Sequence, residues 1–228
     1  MKPGLFAIIL LQAIGLLAQT SEDRLPVVVS WEGQVLVLDS AYSSTKEVAP
    51  ITFHAVKWYV GQFTFWKGEE ILSKRDHSYH LLDVEVAESL FIPLAGGWPE
   101  EADRLRFTLG VDSLTSASGV YGGDLDPMHG MYWTWQSGYI HAKVEGESPA
   151  CPARKNRFQF HLGGYQAPFP ASREIEVSLP AKGRGRLVLA LDQFLQAIDL
   201  ATTYQVMSPG DAAMELADEL SHAFSIQP

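Results

Sequence analysis

"EIEVSL", residues 174–179, alternates polar and apolar side chains without a break. Successive side chains of a strand point to opposite faces, so Ile175, Val177 and Leu179 bury on one face while Glu174, Glu176 and Ser178 meet water. Comparable short runs recur along most of the chain. Segments 27–31 and 34–38 flank Glu32-Gly33, a compact hairpin signal. Segments 52–58, 60–66, 79–84, 89–94, 104–111, 131–144, 157–162 and 186–191 are further strand-like runs between turn residues. Helix spacing is confined to the C-terminus. There Ser208-Pro209 offers an N-cap and first-turn pair, and Ala213, Leu216, Ala217, Leu220 and Phe224 share one helical face. This predicts a helix over 209–224, with a shorter one over 193–200. The expected fold is all-β: an antiparallel, Greek-key-like β-sandwich with short C-terminal helices.

The N-terminus predicts a compartment. Lys2 precedes an apolar run over 5–11, then Gln12, a second apolar stretch over 13–17, and Ala18 as a small exit residue. That is the grammar of a secretory signal. Gln12 and Gly15 interrupt the run and leave it barely long enough to span a bilayer. The expected organisation is a signal peptide over 1–18 and one domain over 19–228, with no membrane span after cleavage. The expected location is the periplasm, the cell surface or the extracellular space. With 228 residues and a formal net charge of −10, the chain suits one acidic domain and lacks the basic block of a nucleic-acid binder. Its single cysteine, Cys151, leaves an exported fold without an internal disulfide.

The segment 122–140, "GGDLDPMHGMYWTWQSGYI", raises a different question. Gly122 to Pro127 is a loop by composition, and Gly130 resets the backbone before a strand. A two-residue period from Tyr132 puts Trp133, Trp135, Ser137, Tyr139 and His141 on one face. A core ridge explains large aromatics there; an aromatic-walled site is the functional alternative. In 158–165, "FQFHLGGY", His161 faces away from Phe158, Phe160 and Leu162, and Gly163-Gly164 permits close approach. Asp124 and Asp126 suit a turn, a calcium loop or a paired-acid hydrolase. No Gly-x-Ser-x-Gly elbow, P-loop, dinucleotide fingerprint or zincin spacing is present, and the residues alone stop at an aromatic-lined site on an exported β-sandwich.

The order of these motifs adds to that reading. Segments 109–113 (LGVDS), 122–146 (GGDLDPMHGMYWTWQSGYIHAKVEG), 158–165 (FQFHLGGY) and 206–224 (VMSPGDAAMELADELSHAF) resemble, in sequence order, the MbnP-like copper-binding family associated with methanobactin gene cassettes. The resemblance implies an exported β-sandwich that holds copper through histidine imidazoles without turnover, so the chain is not expected to be an enzyme. It also implies a kynurenine, made from tryptophan by a partner di-haem enzyme of the cytochrome c peroxidase type. On this resemblance His161 matches the His-x-Gly-Gly position, Trp133 and Trp135 the paired tryptophans, and Asp112 the Gly-Val-Asp position. Tyr132, Asp124 and Asp126 line the same stretch. His54 and His129 are candidates for a second imidazole, although the family usually carries Asn or another small polar residue at the position of His129. Some relatives have paired cysteines near the His-bearing strand, and Cys151 has no partner here. A carbohydrate-binding module stacking sugars on a flat Trp133/Trp135 strip is the competing function. A glycosidase using Asp124 and Asp126 is a third, and requires both carboxyls in an open cleft.

Overall fold

The computed structural model describes residues 24–43, 49–94, 96–135, 138–181 and 184–228. The expected signal peptide, 1–18, lies outside the described residues. Strand β1 (Arg24–Trp31) buries Leu25, Val27, Val29 and Trp31, the alternation expected of a sandwich strand. It turns into β2 (Gln34–Val35) through Glu32 and Gly33, both at positive φ (46° and 80°), the two-residue turn that matches strand twist. A short β3 (Ala41–Tyr42) leads to β4 (Ile51–Lys67) and its hairpin partner β5 (Glu70–Asp83).

β4 is one strand of 17 residues where the sequence predicts two. Bulges in its pairing between Phe53 and Ala55 and between Gly61 and Phe63 absorb the irregularity that reads as a break. The strand also changes neighbours along its length. Residues 52–58 pair with β9 (Gly138–Glu147), and residues 60–66 pair with β7 (Arg104–Leu109). The handover falls at Tyr59, whose carbonyl accepts the Gly110 N–H at 2.8 Å.

The other elements are β6 (Phe91–Pro93), α1 (Ser113–Ala117), β8 (Tyr132–Trp133), β10 (Arg157–Gly163), β11 (Arg173–Ser178), β12 (Arg186–Ala190), α2 (Leu191–Gln196), β13 (Gln205–Val206), α3 (Asp211–His222) and β14 (Phe224–Gln227). Among the described residues they form a smaller sheet, ordered β14-β12-β1-β2 with β6 also on β1, and a larger one, ordered β11-β7-β4-β9-β10-β13. In the larger sheet β3 and β5 also pair with β4, and β8 with β9. Pairing is antiparallel except for β1 with β12 and β10 with β13. The all-β, sandwich-like expectation holds, with those two parallel joints added.

The two sheets share a main core that includes Phe53, Trp58 and Phe65 from β4, Leu187 and Leu189 from β12, and Phe158 and Phe160 from β10. α3 contributes Ala213, Leu216, Ala217 and Leu220 to it, as the helical spacing predicts. Its start differs: the cap is Gly210, with no side-chain cap, and Ser208-Pro209 stands outside the helix. Pro209 packs instead against Gly164, its Cβ 3.1 Å from where a side chain on that glycine would begin. Phe224 leaves the helix for β14, where it meets Trp58 and Phe107 edge-on or tilted. Among the described residues no helix is long and apolar enough to cross a membrane.

A second, smaller core lies on the other face of the large sheet. Tyr59, one residue from the main-core Trp58, packs there with Leu81, Val111, Leu125, Met131, Trp133, Tyr139 and Ile140. The cover of this core is the segment 122–133. Two 3-10 turns, Gly123–Leu125 and Pro127–His129, fold it back over the sheet.

Candidate functional site

The aromatic run does not form the continuous strand that the sequence predicts. β8 ends at Trp133, Thr134 and Trp135 turn, and β9 begins at Gly138, with Tyr132 opposite Tyr139 and Trp133 opposite Gly138. Gln136 and Ser137 lie outside the described residues. A tight hairpin therefore replaces one face carrying Trp133 through His141. Trp133 is 7% exposed, Trp135 63%. Their rings still meet, with centroids 5.8 Å apart and planes tilted by 47°. One buried and one exposed indole at that tilt do not make the flat strip that sugar stacking requires.

Trp133 is seated by a glycine. A Cβ at Gly163 would lie 2.8 Å from Cζ3 of Trp133 and 2.6 Å from the Tyr139 carbonyl oxygen. No side chain fits between the indole and β10, so only glycine permits this approach. Trp133 also lines a cleft of about 210 Å³ with Gly138, Gly164, Tyr165, Phe169 and Pro209.

Two residues back along β10 stands His161, buried, with Nε2 2.6 Å from Oε1 of Glu145 on β9. The hydrogen bond from His161 is the chief cause holding the Glu145 carboxyl below its usual pKa, so the carboxylate accepts and Nε2 carries the proton. In a neutral ring Nδ1 would then carry the lone pair. A metal-binding imidazole is oriented in this way by a carboxylate behind it. Trp133 and His161 thus share β10 as a neighbour: the indole packs on Gly163, the glycine that follows the histidine by two positions.

The other candidates stand elsewhere. His54 on β4 pairs through Nδ1 with Asp39 at 2.6 Å, and its Nε2 lies 3.5 Å from Glu147 without hydrogen-bond geometry. His129 is exposed, with Nε2 3.0 Å from the Gly123 carbonyl oxygen. The next residue, Gly130, accepts from Lys143 Nζ at 2.7 Å, and Lys143 is the ladder partner of His161. Among the described residues no three or more His, Cys, Asp or Glu side chains are grouped to hold a metal ion.

The acidic candidates bind turn amides and neighbouring side chains. Asp112 caps α1, accepting the Thr115 N–H at 2.7 Å, and takes hydrogen bonds from Gln62 and from the Tyr79 hydroxyl. Asp126 caps the second 3-10 turn through the Met128 N–H at 2.9 Å. Asp124 pairs with His80 Nδ1 at 2.9 Å and accepts the Leu81 N–H at 3.2 Å, tying the segment to β5. Asp124 lines a pocket with Phe63, Tyr79 and His80 that does not include Asp126. Asp124 and Asp126 thus do not share this pocket. Tyr132 packs edge-on against Tyr139 with centroids 5.0 Å apart.

His141, placed by periodicity on the tryptophan face, is a buried residue at the handover between β7 and β9. Its Nδ1 accepts the Val111 N–H at 3.3 Å, and Nε2 has no partner among the described residues. Burial first, then the charge of Arg173, pushes its pKa down to about 4, so it is neutral. Gly110, at φ +100°, lies flat against the ring where no side chain would fit. The sequence carries that signal in Gly110-Val111-Asp112, where the glycine makes room for the distant His141 ring.

Fold and site together define a β-sandwich protein whose large sheet carries a carboxylate-paired histidine two positions from the glycine that seats a buried tryptophan. The MbnP family model matches residues 21–208, and the chain belongs to the MbnP family. It is similar to a solved structure, MbnP from Methylosinus trichosporium, with a TM-score of 0.53 and 14% identity over 83% of this chain and 82% of that one. At that identity the likeness is one of fold. No curated protein sequence matches.

Proposed function

We propose that the protein is an exported copper-binding protein of the periplasm or cell surface, for copper acquisition or storage. In this reading it is a holder of metal with no turnover of its own. The observation that carries the reading is the His161–Glu145 hydrogen bond beside the seat of Trp133 on Gly163. Imidazole suits copper, and a carboxylate behind it fixes the ring and raises its basicity. The described His, Cys, Asp and Glu side chains form no complete metal group, so the reading needs a donor of another type. Kynurenine made from tryptophan by a partner di-haem enzyme supplies one, an aromatic amine in an aromatic-walled cleft. His129 is favoured over His54 as a second imidazole, because the Lys143–Gly130 bond holds its turn against the strand pair that bears His161.

The test is copper binding by the mature protein purified from its native envelope. His161→Ala is expected to abolish it, and parallel variants should show weakening in His129→Ala and none in His54→Ala. Copper retained at wild-type affinity by the His161 variant would make His161 a structural residue.

A further inference from the structure

The two tryptophans differ in a way that assigns them separate tasks. Of the two indoles it is Trp133 that is seated on Gly163, two residues along the strand from His161. Yet Trp133 is only 7% exposed, packed on Gly163 and within the second core. An enzyme the size of a folded protein cannot bring its own oxidising centre against a ring so covered. Trp135 is 63% exposed at the hairpin tip, and its ring adjoins that of Trp133 with centroids 5.8 Å apart.

Resting on the proposed function, we infer that Trp133 is the tryptophan converted, and that Trp135 is the surface relay through which its electrons leave. Indoles are among the most easily oxidised side chains, and transfer between aromatic rings in contact is far faster than through an equal depth of packed protein. The haem oxidant of the partner takes one electron from Trp135. The Trp135 radical cation is refilled by one electron from Trp133, whose ring N–H proton passes to water. Four electrons leave Trp133 in all; with the four protons released as two waters add to the ring, they reduce two equivalents of hydrogen peroxide to water at the partner's haem. Two water molecules supply the oxygen atoms as the C2–C3 bond of the indole opens to N-formylkynurenine. Hydrolysis then releases formate and leaves kynurenine. Trp135 ends each cycle unchanged.

Because Trp135 is exposed and packs on little besides its neighbour, replacing it leaves the fold in place. The mature protein is treated with a di-haem peroxidase-type enzyme and peroxide, and kynurenine is located by peptide fragmentation. The expected result is conversion at Trp133 in the wild type. Trp135→Phe should slow it by at least about tenfold, and Trp135→Tyr, which keeps an oxidisable ring, should recover much of the rate. A packing role for residue 135 would not separate Phe from Tyr. Kynurenine at position 135, or equal rates in all three proteins, overturns the relay. A photogenerated, water-soluble one-electron oxidant used without the enzyme separates the relay from the proposed function. If the radical reaches Trp133 in the wild type but not in Trp135→Phe, the relay stands even where the enzyme leaves the protein unmodified. If the radical reaches Trp133 equally in both, the relay fails whatever the enzyme does.

Discussion

The indole of Trp133 rests on the bare Cα of Gly163, with 2.8 Å between its Cζ3 and the position a Cβ would take. This contact joins the aromatic hairpin to the histidine strand. Gly163→Ala is therefore expected to push the ring out, because the Tyr139 carbonyl on the other side cannot yield. Overpacking of this kind costs about 1–3 kcal/mol. A lowered denaturation midpoint together with increased solvent quenching of tryptophan fluorescence is the expected result. An unchanged emission spectrum would place the indole elsewhere.

Glu145→Gln tests the orientation of His161 separately from its presence. The amide keeps the shape and a hydrogen-bond acceptor but loses the charge. Metal affinity should fall by about 10–100-fold, the usual effect of losing a partner behind a ligand. Calorimetric titration with copper checks this. Wild-type affinity would mean that the carboxylate serves only the fold.

Asp112→Ala should do the reverse. It removes a helix cap and the acceptor for Gln62 and the Tyr79 hydroxyl, at a cost of about 1–2 kcal/mol in stability. Copper affinity of the folded variant should be unchanged. Thermal unfolding alongside metal titration separates the two effects, and a lost site in a stable variant would contradict the assignment.

The Asp124–His80 pair should give the segment 122–133 a pH-dependent hold. For His80, burial works against the charged form, but its hydrogen bonds to Asp124 and to the Ser89 carbonyl, with the Asp124 charge, prevail and raise its pKa. For Asp124 the His80 hydrogen bond comes first, and its pKa is lowered against the opposing effect of burial. A raised histidine stabilises fully below its unfolded value of about 6.5 and loses that as pH climbs through its folded value. A lowered aspartate stabilises above its unfolded value of about 3.9 and loses that as pH falls through its folded value. The pair thus contributes most between about pH 4 and 6.5, by roughly 1 kcal/mol after allowance for solvent screening of a half-exposed carboxylate. Amide exchange of residues 122–133 across this range should be slowest in that window, and Asp124→Asn should flatten the profile. A profile identical in the variant would show that the packing of Leu125 and Met131 holds the segment alone.

Local chemistry, legible in the sequence, determined much of this protein. Alternation placed β1, β7, β10 and β11 because the two-residue period is a property of the strand itself. The helical face of α3 was legible for the same reason, and the order of the motifs marked the family and singled out His161 and the tryptophan pair. Other features required the tertiary structure. The period from Trp133 to His141 breaks because Gly138 turns back to pair with Trp133, and no local pattern distinguishes a hairpin from a strand there. Asp112, Asp124 and Asp126 look like site residues in the sequence, yet their partners, Tyr79, His80 and the turn amides, are chosen by how β5 and the covering segment pack. Glu145 drew no attention as one charge on an alternating strand. It faces His161 only because β9 and β10 pair in a register that sets Lys143 opposite the histidine, leaving the carboxylate one diagonal step away. Side-chain periodicity is written residue by residue, whereas register and the meeting of distant strands are set by burial summed over the whole sandwich.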